Sequence, residues 1–141
     1  MNLEHHATKF PDEISPYFGL RWKPHQLWNL DLVSEPGNVE SLTWHLHYPF
    51  WSSEPPAPLF DLCPGEVIKK PDRSRYHWER CAAADLRYPL HVTRIASRVV
   101  ILDGIHRLAK LTMLGRSDLR YYVVPTSMLG SQVIGTNEVR R

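Results

Sequence analysis

Cysteine is scarce: only Cys63 and Cys81 occur in 141 residues. Two cysteines cannot supply the disulfide framework of a small secreted domain. No apolar run reaches the length of about 18 residues needed to cross a bilayer, and the opening MNLEHHATKFPDE has no apolar core of the signal-peptide kind. A cytoplasmic protein with no membrane partner is therefore expected. Paired C-x-x-C and H-E-x-x-H spacings are missing as well, which removes the commonest zinc signatures. Lysine is rare in the second half, where Lys110 stands alone. Residues 71–141 nonetheless carry twelve Lys or Arg against six Asp or Glu, while residues 1–70 carry five against nine. The formal net charge of +2 thus conceals an acidic front and an arginine-rich back. Guanidinium groups match phosphate and carboxylate oxygens in pairs, so an anionic ligand is expected in the second half.

What is present suffices for one domain. With 43% apolar residues, a chain of this size can bury roughly two-thirds of its unfolded surface. Residues 1–40 are broken by Pro11, Pro16, Pro24, Pro36 and Gly37, yet Tyr17, Phe18, Trp22, Leu27, Trp28, Leu30 and Leu32 make them too apolar for a free tail. They should dock on the core. Leu42 to Pro49 alternates with period two, which predicts a strand with Trp44, Leu46 and Tyr48 on one face and Thr43, His45 and His47 on the other. A loop over residues 52–58, a short element at Phe60–Leu62, a helical turn over 64–69 and a helix from about Arg73 to Ala84 follow. His45, His47, His77 and Cys81 could in principle converge as a zinc site. Without the usual spacings no metal is assigned to them, and Cys81, followed by three alanines, reads as a core residue. Most of the five Trp, six Tyr and four Phe should pack; one left exposed near an anion site could stack on a base.

The densest information lies in VVILDGIHRLAKLTMLGRSDLRYYVVP, residues 99–125. Val99 to Leu102 is a run of strand formers, ended by the Asp103-Gly104 turn. Ile105, Leu108, Ala109 and Thr112 then recur at helical spacing, Gly115 falls where a helix ends in a left-handed residue, and Leu119 to Val124 reads as a strand closed by Pro125. A helix start leaves backbone N–H groups unpaired at the positive end of its dipole, which suits an anion. His106, Arg107 and Lys110, three and four apart, would add cationic side chains. The simpler alternative makes Asp103 the N-cap and leaves Arg107 and Lys110 on a solvated face.

Asp103-Gly-Ile-His-Arg-Leu, with its preceding strand and following Leu114-Gly115, resembles the D-G-x-H-R-L signature of the ParB/sulfiredoxin-like superfamily. Asp85 to Val92 resembles the segment by which such domains enter the preceding strand, and Leu42 to Phe60 the lead-in of a bacterial group within it. The likeness spans roughly residues 60–130. It implies an α+β fold, a small mixed β-sheet with packed helices, and a nucleotide phosphate held at the signature turn. On that pattern Gly104 and Ile105 would bring backbone to the phosphate, and His106, Arg107 and Lys110 would contact it. In an enzyme of this kind Asp103 and His106 would be catalytic, Asp103 as base or as ligand to the Mg2+ of a bound nucleotide, giving an ATP- or ADP-dependent phosphotransferase. Ile105 stands where sulfiredoxin has its reactive cysteine, so sulfinic-acid reduction is not expected. Only 16 residues follow Pro125, so no helix-turn-helix is expected there either.

These readings give an N-terminal arm over residues 1–41 packed on the core and covering a sheet edge, a domain over 42–130 and a tail over 131–141. They point to a nucleotide- or phosphate-ligand-binding domain whose partner is a small phosphorylated molecule. The alternative is a non-catalytic nucleic-acid or protein-interaction module using the same basic face.

Overall fold

The computed structural model describes residues 24–57 and 59–129. Tyr17, Phe18 and Trp22 of the expected arm, and the tail 131–141, lie outside them. The architecture is α+β. A short helix α1 (Pro24–Trp28) leads to strand β1 (Glu35–Asn38) and a 3-10 helix (Glu40–His47). Helices α2 (Pro64–Lys69) and α3 (Arg75–Ala83) precede the hairpin β2 (Leu90–Ile95) and β3 (Arg98–Asp103). Helix α4 (Ile105–Met113) and strand β4 (Asp118–Val123) follow. The four strands form one sheet in the order β1-β4-β2-β3, with β4 and β2 parallel and the other two pairs antiparallel. β1, from the arm, pairs along β4 and so covers the edge that β4 would otherwise expose.

Alternation along the strands builds two cores. Leu90, Val92, Ile101 and Tyr121 face Leu108 and Leu111 of α4 and Leu42 and Leu46 of the 3-10 helix. On the opposite face Leu27 of α1 packs with Val124 and Leu129, joined by Leu30, Leu32 and Leu102. Behind α4, Ala109 meets Trp51, Leu62, Val67 and Cys81, which ties α2 and α3 to the first core.

The segment from Leu42 to Pro49 is not the expected strand. Its buried positions are Leu42, His45, Leu46 and Pro49, close to a period of three, and they wrap a 3-10 helix onto the sheet. The error came from treating His45 as polar. It is fully buried, Nδ1 donates to the Leu42 carbonyl at 2.7 Å and Nε2 accepts the Ile101 amide at 2.9 Å. Burial drives its pKa down to about 4, so the ring is neutral and serves as a core bracket between the 3-10 helix and β3. His47, two residues on, is exposed, so the two histidines do not share a face.

Candidate functional site

The strand, turn and helix of residues 98–113 form as their sequence predicts, with one addition that decides where the side chains go. In the β2/β3 pairing Val92 faces Ile101 but His91 faces Asp103, so Leu102 is an extra residue and the ladder bulges. Cross-strand partners share a face, so the bulge turns Asp103 to the side of His91, away from the start of α4. Asp103 is consequently not the N-cap. That position belongs to Gly104, which makes no side-chain cap bond, and Asp103 Oδ2 instead accepts from Trp28 Nε1 at 3.0 Å. Gly104 is required twice over. Its φ of +125° is open only to glycine in practice, and a Cβ there would lie 2.7 Å from Leu90 Cγ.

A cavity of about 310 Å³ opens at this turn, lined by Asp103, Gly104, His106 and Arg107 from one side and by Arg80 and Asp85 from the other. Arg107 is half-buried and spends one N–H on the Pro89 carbonyl at 3.1 Å, which fixes the guanidinium at the cavity wall. Arg80, on α3, lies over the Tyr76 ring, 5.6 Å from its centroid. Neither Arg80 nor Arg107 forms an ion pair with any described residue. Asp85, by contrast, is neutralised by Arg87 at 2.7 Å, and the hydrogen bonds from Arg87 pull its pKa down to about 2.

His106 has a different character from the expected phosphate contact. Its ring lies flat on Trp51, with centroids 4.4 Å apart, beside His77, which stacks on Trp51 at the same distance. The imidazole centroids are 5.2 Å apart and their planes 16° from parallel, so both rings sit side by side on one indole face. The hydrogen bonds set the tautomers. The Ser52 carbonyl can only accept, so His77 Nε2 donates to it at 2.8 Å; neutral His77 then accepts at Nδ1, at 3.0 Å, from His106 Nε2. His106 Nδ1 keeps its lone pair with no partner among the described residues. Burial, helped by the charge of Arg80 and by His77, lowers the His106 pKa to about 3, and burial lowers that of His77. His106 therefore offers the cavity a neutral acceptor, not a cation.

Lys110 and Ile105 do not line the cavity. Lys110 Nζ donates to the carbonyls of Ala82 and Ala84 at 2.8 and 2.9 Å, closing the C-terminal end of α3. Ile105 packs between the first core and the α2/α3 cluster. Of the expected ligand residues the structure thus brings together Gly104, His106 and Arg107, with Asp103 at the rim. Sequence reasoning missed Arg80, Trp51 and the pairing of His77 with His106. The spacing of His77 and Arg80, one helical turn apart on α3, was a signal that both could reach α4.

The zinc alternative does not assemble. Among the described residues no three His, Cys, Asp or Glu side chains are placed to share a metal. Cys81 is fully buried among apolar groups, and burial raises its thiol to about 11, which makes it an inert packing residue. Comparison with protein-family models, curated proteins and solved structures returned no match.

Proposed function

We propose that the chain is a ParB/sulfiredoxin-like domain that binds a small phosphorylated ligand, such as a nucleotide, in the cavity at the start of α4. The observation that carries this reading is the pair Arg80 and Arg107, unpaired with any described carboxylate, on either side of an uncapped helix start whose dipole also favours an anion. Two guanidinium groups from different helices converge on one small volume, a geometry suited to the oxygens of a phosphate. Neutral His106 Nδ1 beside them accepts a hydrogen bond from a ligand hydroxyl, and its link to His77 fixes the ring for that task. Magnesium arriving with a nucleotide would be held by phosphate and water, because the bulge turns the Asp103 carboxylate to the Trp28 side. Bound there, the ion would neutralise phosphate charge.

Most of the other described arginines of the basic half are already engaged, which argues against a diffuse nucleic-acid surface. Arg87 is paired with Asp85, Arg94 with Glu35 and Arg75 with Glu79, and Arg120 is held by Ser34. Calorimetric titration with ATP, ADP, CTP, GTP and inorganic phosphate, with and without Mg2+, tests the proposal. Arg107→Ala and Arg80→Ala should each weaken the ligand that binds roughly ten- to a hundredfold, the loss of a charge-assisted contact of about 1.5 to 3 kcal/mol. Duplex DNA should bind weakly and without sequence preference. Tight, sequence-specific DNA binding that survives Arg107→Ala would replace this reading with the interaction module.

A further inference from the structure

The side chains around the cavity at the start of α4 divide unequally into donors and acceptors. Arg80 and Arg107 can only donate. Asp85, the carboxylate in the same wall, already accepts at both oxygens from the Arg87 side chain, at 2.7 to 3.2 Å. Asp103 is turned by the bulge to the Trp28 side. The acceptor that is left is His106.

Its neighbours fix it in that role. The relay from His106 to the Ser52 carbonyl runs one way only, because a carbonyl cannot donate. His77 Nε2 must give its proton to Ser52, and the single ring proton of neutral His106 is spent on His77 Nδ1. The stack on Trp51 holds the ring in this orientation. His106 Nδ1 thus carries a lone pair and no proton. Nor is it sealed: among the described residues the one buried side-chain nitrogen or oxygen without a partner is His91 Nδ1, so the unbonded His106 Nδ1 keeps accessible surface, on a residue that lines the cavity. Arg80 lies near enough for its charge to be felt at the same ring.

Tetrahedral anions of one size differ in what they bring to such a wall. Sulfate has acceptor oxygens alone, so one of them placed at Nδ1 sets lone pair against lone pair, which leaves both without a partner. Inorganic phosphate keeps a proton at neutral pH and can give it to Nδ1 while its other oxygens accept from Arg80 and Arg107. An organic phosphate loses its last proton near about pH 6 and meets the same demand only with a hydroxyl beside the phosphate. We infer that this cavity selects a phosphate that still carries its proton, as inorganic phosphate does, over fully ionised anions of the same shape, and that His106 Nδ1 is the atom that reads the proton. The inference rests on the phosphate-site reading above and names the form of phosphate the site takes.

Inorganic phosphate, sulfate and methyl phosphate are the probes, titrated by calorimetry against the intact chain. At about pH 8 all three are mainly dianions, so charge is matched and the proton alone differs. Phosphate should bind about tenfold more tightly than the other two, the effect of an acceptor satisfied against one left facing an acceptor. Arg107→Ala should weaken all three. His106→Phe keeps an aromatic ring against Trp51 but removes the acceptor, and should bring the three anions to equal affinity. Should His106→Phe fail to fold, the ¹⁵N resonance of His106 Nδ1 in the unaltered chain serves instead, and must move with phosphate but not with sulfate. Equal binding of phosphate and sulfate, weakened by Arg107→Ala, overturns the inference and leaves the phosphate site standing. A preference for phosphate that persists in folded His106→Phe overturns it too. No binding of any of the three at millimolar concentration overturns the inference; if the nucleotides also fail to bind, the reading beneath it falls as well.

Discussion

At the scale of single residues, the Asp-Gly pair shows how one motif can be read correctly for position and wrongly for mechanism. The sequence marks the turn, and Asp103 is a natural helix cap, but the bulge at Leu102 rotates it onto the Trp28 side. A bulge adds no distinctive residue type, so nothing in the pattern of Val99 to Asp103 announces it. Gly104 was legible as a turn residue after Asp103, whereas its positive φ and the approach of Leu90, fourteen positions earlier, were not. This difference yields a test against Gly115, which also has positive φ, +70°, but open space where a Cβ would go. Gly115→Ala should cost about 1 kcal/mol, the strain of a left-handed alanine alone. Gly104→Ala adds a clash with Leu90 and should cost about 3 kcal/mol. Urea denaturation of the two variants measures both, and similar losses would show that the Leu90 contact gives way freely.

At the scale of elements, the stretches whose apolar pattern has one dominant neighbour were readable. Helix α4, strands β3 and β4, the turn of α2 and most of α3 lie where periodicity puts them, because α4 buries one face against the first core and α2 and α3 bury theirs in the cluster behind it. The 3-10 helix was not readable, since its period rests on a neutral buried histidine that a polar-apolar reading assigns to the wrong class. Lys110 illustrates a related limit: its spacing from Arg107 places it correctly on α4 but cannot reveal that the end of α3 is within reach. Its ammonium joins the two helices through the Ala82 and Ala84 carbonyls. Lys110→Met should therefore destabilise the fold by about 1 kcal/mol, since the site is only half-buried and water replaces part of the loss. Phosphate affinity should change far less than in Arg107→Ala. A variant of normal stability that no longer bound phosphate would return Lys110 to the ligand site.

At the scale of the whole molecule, the charge count foretold a basic half but not its pairing, because partners such as Arg94 and Glu35 are 59 residues apart and only the sheet brings them together. What remains after pairing is a molecule whose interior is built around neutral histidines. His45 brackets the 3-10 helix, His77 and His106 lie on Trp51, and His91 sits under α1, and burial lowers the pKa of all four. In the unfolded chain each would titrate near 6.5. Below that pH the unfolded state binds protons that the folded state refuses, so the stability these groups contribute is complete above about 6.5. It is lost as pH falls toward the folded values of about 4 for His45 and about 3 for His106. Between pH 7.5 and 5 each of these two should remove about 2 kcal/mol, on the scale of 1.36 kcal/mol per pH unit, with His77 and His91 acting in the same direction. Urea unfolding at the two pH values should show the drop, and ¹⁵N spectra at pH 5 should still show His45 and His106 as neutral rings. A stability that stays level across that interval, or a His45 resonance that titrates near 6.5, would mean that these rings are open to water and that the bracket between the 3-10 helix and β3 does not hold.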